Sequence, residues 1–179
     1  LTAFPPAWGY FVLVVTSALL LQAAWTDLRE FKIRNELILA LAGLFVLYAM
    51  LTGHWAQLKW DVAFAALMFV VLLALYNTGW MGGGDVKILA VAFLWTGLSG
   101  ALPFAILLAL FSSAHSLAAK FGWVKSQVTA GGRRRIPFAP SVAAALICTF
   151  MLRSLQLDMP SILSMDILKY LRYWRINFD

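Results

Sequence analysis

Residues 88–119 read ILAVAFLWTGLSGALPFAILLALFSSAHSLAA, with no Asp, Glu, Lys or Arg anywhere between Ile88 and Ala119. A helix crosses the hydrocarbon of a bilayer with about 20 apolar residues, so this run is too long for one crossing. It fits two helices if Thr96-Gly97-Leu98-Ser99-Gly100, followed by Pro103, interrupts it. Leu1–Thr26, Leu37–Leu58 and Val62–Gly84 are equally free of charge, and Ile136–Leu152 is a shorter run of the same kind. The chain of 179 residues is 63% hydrophobic and 12% charged, with a mean hydropathy of +0.84. A soluble domain carries about 25% charged residues. The expectation is an all-α membrane protein with about six transmembrane helices, forming a single domain over residues 1–179.

The predicted helices cover about 8–25, 36–52, 62–76, 86–95, 102–119 and 139–155, with Asn35 as N-cap of the second. Pro137 and Pro140 suit the start of the sixth, where a missing N–H matters little. The first run has no basic stretch before it and no small-residue cleavage site, so it reads as a span and not as a signal peptide. The tail 161–179 alternates Ile162, Leu163, Ile167, Leu168, Leu171 and Trp174 with Lys169, Arg172 and Arg175. That pattern predicts an amphipathic helix lying on the membrane surface.

The net charge is +6, but the basic residues flank apolar spans, so lipid headgroups are the expected partner and nucleic acid is not. Arg29, Lys32, Arg34, Lys87, Lys120, Lys125 and Arg133–Arg135 fall in alternate loops, against Lys59 and Arg153 in the others. The positive-inside rule puts the richer set in the cytoplasm and the N-terminus outside. Trp8, Trp25, Trp55, Trp60, Trp80 and Trp123 fall near predicted boundaries, as an interfacial belt requires. The single cysteine, Cys148, lies in an apolar run and reads as a small core residue.

Two acids stand out. Asp27 follows the first predicted helix and Asp85 precedes the fourth, so both belong to the cytoplasmic face. Carboxylates at a membrane boundary are functional candidates, although an acid in a basic loop is as often a solvated charge. Asp61, Asp158 and Asp166 read as plain interfacial charges. Gly82, Gly83 and Gly84 lack a Cβ, so the backbone before Asp85 can be approached by another chain, and an extended peptide can dock there through main-chain hydrogen bonds. Lys87 either orients Asp85, meets a substrate, or sets topology. His54 and His115 pair with no motif and read as boundary or packing residues. Neither a cofactor nor a metal is implied, since His and Cys ligands at suitable spacing are missing.

At this point the residues resemble a known family. GGGD followed by VK at 82–87 is similar to the GxGD motif of the type IV prepilin peptidases, membrane aspartyl proteases. DLREFKIRN, 27–35, resembles the family's first aspartate motif, with Ile33-Arg34-Asn35 where an Ile-Pro-Asn-like triplet opens the second helix. IPFAP, 136–140, resembles a late Pro-Phe-Gly-Pro-like stretch, with Ala139 where glycine is common. The cysteine-rich insert of larger members, between the first two helices, is missing, so the chain looks like the short, tight-adherence type and methyltransferase activity is not expected.

The resemblance implies hydrolysis of a peptide bond by Asp27 and Asp85, supported by Gly82, Gly83, Gly84 and Lys87. The substrates would be prepilins or pseudopilins with a short basic leader before a hydrophobic helix, cut at the cytoplasmic face of a prokaryotic inner membrane. Pilus or secretion machinery would be a further partner. Two carboxylates that share a proton supply both base and acid. Helix dipoles assign the anion to Asp85, ahead of its helix, and the proton to Asp27, behind its own. Two other readings stay open. A small ion-coupled secondary transporter would use acids nearer mid-membrane, and a non-catalytic assembly factor would use the glycines for packing.

Overall fold

The computed structural model describes residues 7–53, 55–79, 81–122, 127–128 and 134–154. The described chain is almost entirely helical: α1 (Ala7–Glu30), α2 (Asn35–Thr52), α3 (Trp55–Asn77) and α4 (Gly83–Lys120), then α5 (Ala139–Ser154). Between α4 and α5, Gln127–Val128 (β1) and Arg134–Arg135 (β2) pair antiparallel, Gln127 opposite Arg135. The four helices α1–α4 are long and apolar enough to cross a membrane, and α5 is a shorter apolar helix. The predicted tail helix, 161–179, lies outside the described residues. Residues Pro5–Thr149 form one compact unit; the end of α5, from Phe150, belongs to a second.

Several predicted boundaries move outward. α1 continues to Glu30 and α3 begins at Trp55, because polar residues at an interface do not break a helix when neither Gly nor Pro intervenes. α4 begins at Gly83, so Gly83, Gly84 and Asp85 belong to its first turn and not to a bare loop. The N-cap of α2 is Arg34, with no side-chain hydrogen bond; the expected cap, Asn35, is the first helical residue and uses its side chain elsewhere. α2 ends where Gly53 takes φ 70° and returns its N–H to the Ala49 carbonyl, a left-handed stop suited to glycine.

The predicted fourth and fifth helices lie on either side of a break at Gly97 (φ 58°, ψ −174°), inside the expected Thr96–Gly100 stretch, and together make up α4. A Cβ added at Gly97 would run into the carboxylate of Asp61 on α3. Asp61 is therefore not a plain interfacial charge: its head is packed against the break. Next to this point an aromatic cluster joins the helices. The Phe93 ring meets Phe64 of α3 at 5.9 Å and Phe104, beyond the break, at 5.4 Å, both edge to face. Trp95 meets Phe45 edge to face at 5.5 Å and donates its indole N–H to the Leu41 carbonyl at 3.0 Å, fixing α4 to α2. Leu37, Leu41, Phe45 and Ala49 form the buried stripe of α2, one residue per turn.

The opposite faces are apolar and exposed. α3 buries Leu72 and turns Val62, Leu67, Val70 and Val71 outward, a pattern suited to hydrocarbon and not to water. Hydroxyls inside the helices bond their own backbone, as Thr16 does to Val12 at 2.8 Å and Thr149 to Ala145 at 2.8 Å. In an apolar surround that removes the need for an outside partner.

Candidate active site

α1 delivers Asp27 in its last turn and then stops abruptly. Phe31 takes φ 53° and its N–H returns to the Asp27 carbonyl at 2.9 Å. A bulky residue in the left-handed region is strained, and here the strain turns the chain directly toward α2. Asp27 is buried, 5% exposed, which for a carboxylate requires partners. One is the main chain of α5: the Ala139 N–H donates to Asp27 Oδ2 at 2.9 Å.

The sequence of α5 dictates that bond. The first N–H groups of a helix have no acceptor inside it. Pro140 has no N–H. Those of Ser141 and Val142 both reach the Phe138 carbonyl, at 3.0 and 3.3 Å. The Ala139 N–H finds its acceptor, Asp27, across the bundle instead. Sequence reasoning missed this contact, because a main-chain donor has no side-chain signature. The signal it did leave is the pair Pro137 and Pro140, which marks where a helix opens.

Asp85 occupies the first turn of α4, after an extended Gly82 (φ −77°, ψ 146°), and is partly exposed. A Cβ at Gly83 would meet the Tyr76 ring at 3.5 Å, and one at Gly84 the Ile33 side chain at 3.5 Å, both ordinary contacts. Gly82 has a φ open to any residue. Lys87 spans to α2, donating from Nζ to Asn35 Oδ1 at 2.9 Å. Arg29 lies over the Trp25 ring, 4.4 Å from its centroid.

These pieces surround one cleft of about 530 Å³. Asp27 and Asp85 both line it, with the segment Glu30–Asn35, Gly84, Lys87, Ile136 and Phe138. All three sequence motifs therefore contribute walls to the same space. Its charged lining is balanced: Asp27, Glu30 and Asp85 against Lys32, Arg34 and Lys87. Glu30 and Phe31 were not singled out from the sequence. Among the described residues no group of three or more His, Cys, Asp or Glu could hold a metal ion. The His115 Nε2 and the Ser112 Oγ are buried with no hydrogen-bond partner among the described residues.

The sequence profile of the type IV leader peptidase family matches residues 14–118, from within α1 to the end of α4. A "Prepilin leader peptidase/N-methyltransferase" of Bacillus subtilis (strain 168) is 29% identical over 148 residues. The similarity covers 79% of this chain and 55% of that protein, so the chain spans about half the length of this curated relative. No solved structure matches the chain significantly.

Proposed function

The chain belongs to the type IV leader peptidase family, and from that premise we propose that it is an aspartyl endopeptidase that removes leader peptides from prepilin-like proteins. The observation that carries the reading is that Asp27 and Asp85, far apart in sequence and on different helices, line one cleft. One carboxylate takes a proton from water as the water oxygen attacks the scissile carbonyl carbon. The other, protonated, gives its proton to the carbonyl oxygen, so a neutral gem-diol forms. Collapse breaks the C–N bond, returns the first proton to the leaving amine, and restores the second from a gem-diol hydroxyl. Every proton is accounted for with two side chains.

The substrate is a prepilin or pseudopilin: a short basic leader at the cleft and an apolar helix in the bilayer. Six crossings, with the cleft at the cytoplasmic side of an inner membrane, complete the proposal. α2 follows α1 after four intervening positions, 31–34, leaving no room there for an inserted domain; peptidase activity without methyl transfer is the activity proposed. The test is reconstituted protein with a pilin-leader substrate, repeated with Asp27→Asn and Asp85→Asn. Cleavage by the unaltered protein and by neither variant is expected. Turnover by either variant removes the dyad, and the same pilus phenotype with both variants as without them would point to an assembly factor.

A further inference from the structure

Resting on that reading, the contact at Ala139 decides which carboxylate is the base. Chain order alone sees only the carbonyl end of α1 near Asp27, which disfavours an anion. The bundle adds the amino end of α5, aimed at the same side chain. Ala139 opens α5, and its N–H reaches Asp27 Oδ2 at 2.9 Å in a buried setting. A main-chain amide in a helix cannot rotate away and offers no lone pair on nitrogen, so at this atom it can only donate. Donation to an ionised oxygen is roughly twice as strong as to a neutral one, and the positive end of α5 adds to it. Asp85, by contrast, is partly exposed to the cleft, where a carboxylic O–H can turn to a substrate carbonyl.

We propose that the Ala139 main-chain N–H is a positioning group that holds Asp27 as the ionised base, leaving the shared proton on Asp85 as the acid. This is the reverse of the dipole assignment made from the sequence. It also explains the composition of the IPFAP segment. Pro137 and Phe138 place the start of α5, Pro140 contributes no N–H, and the Phe138 carbonyl takes the donors of Ser141 and Val142. The Ala139 N–H, with no acceptor of this kind inside the helix, faces Asp27. The other charged groups around Asp27 are Glu30, Lys32, Arg34, Asp85 and Lys87 in the cleft and Arg29 on its own helix. His115 on α4 is a further titratable group that interacts with it.

Two measurements test this. In the first, alanine at position 139 is replaced by its α-hydroxy acid, so that an ester removes the N–H alone; Ala139→Pro removes the same donor at a helix start that tolerates proline. Losing a donor to the anion should lower kcat about tenfold at unchanged KM and move the acidic limb of kcat/KM to higher pH. Ala139→Gly, which keeps the N–H, should restore the unaltered profile. The same displacement in a His115→Gln background assigns it to the amide and not to the imidazole. A superimposable profile at unchanged kcat overturns the proposal, while cleavage by the unaltered protein still stands for the peptidase reading. The second leaves position 139 intact: infrared spectra of protein carrying carbon-13 aspartate. The labelled carboxylic-acid band should vanish in Asp85→Glu and persist in Asp27→Glu; the opposite pattern overturns the proposal whatever the activity.

Discussion

Asn35 and Lys87 hold two walls of the cleft together by one hydrogen bond, Nζ to Oδ1, at 2.9 Å in an exposed setting. An exposed bond of this kind adds little to stability, so Asn35→Ala should scarcely move the unfolding temperature. Its effect belongs to alignment: with α2 released from the start of α4, kcat/KM should fall by up to about tenfold. Lys87→Met should do the same, and the double variant no more than either alone, since residues sharing one contact are not additive. Losses that multiply would show that Lys87 acts on Asp85 or on substrate independently of Asn35. At this scale the sequence was partly readable. The aspartates announced themselves as charges in a chain with few, whereas Asn35 read as a cap and the amide of Ala139 as nothing at all, because neither role is encoded by residue type alone.

At the scale of the element, two glycines in α-helices should respond to alanine with opposite sign. Gly43 lies within α2, where an added Cβ meets nothing within 4 Å. Gly43→Ala should therefore stabilise, by up to about 1 kcal/mol. Gly97 sits at φ 58° with the Asp61 carboxylate against it, so Gly97→Ala adds a strained backbone, costing about 1–2 kcal/mol, and displaces Asp61. Unfolding in detergent should rank Gly43→Ala above the unaltered protein and Gly97→Ala below it by about 2 kcal/mol or more. Equal effects would mean that the break in α4 is incidental. The break itself was legible as a Gly-rich stretch inside an over-long apolar run. The side chain that lies against it was not, because Asp61 and Gly97 are neighbours only once α3 and α4 have packed. The early starts of α3 and α4 escaped for a related reason: hydropathy marks the hydrocarbon, and a helix does not end where the hydrocarbon does.

For the whole molecule, the cleft constrains the path of α4. Gly84 and Asp85 at its beginning and Ile136 and Phe138 beyond its end line the same space. A straight helix of 38 residues would put its ends about 57 Å apart. From Lys120 to Ile136 the chain has about 16 residues, at most about 58 Å when fully extended. It is not extended, because Gln127 pairs with Arg135, and paired residues lie only about 5 Å apart. The segment therefore cannot span the length of a straight α4, and α4 must turn back at Gly97. Its first half, Gly83 to Thr96, is about 21 Å long, shorter than the roughly 30 Å of hydrocarbon. In a Cys148→Ser background, single cysteines at Lys32 and Lys120 should react with an impermeant maleimide from one side of the membrane, and a cysteine at Lys59 from the other. Val70→Arg, on the outward face of α3, should impair insertion by about 2.5–3.5 kcal/mol, whereas Lys59→Arg should be neutral. Lys32 and Lys120 labelled from opposite sides would require α4 to cross once, and a single crossing would separate Asp85 from the start of α5 and leave Asp27 without its partner across the cleft.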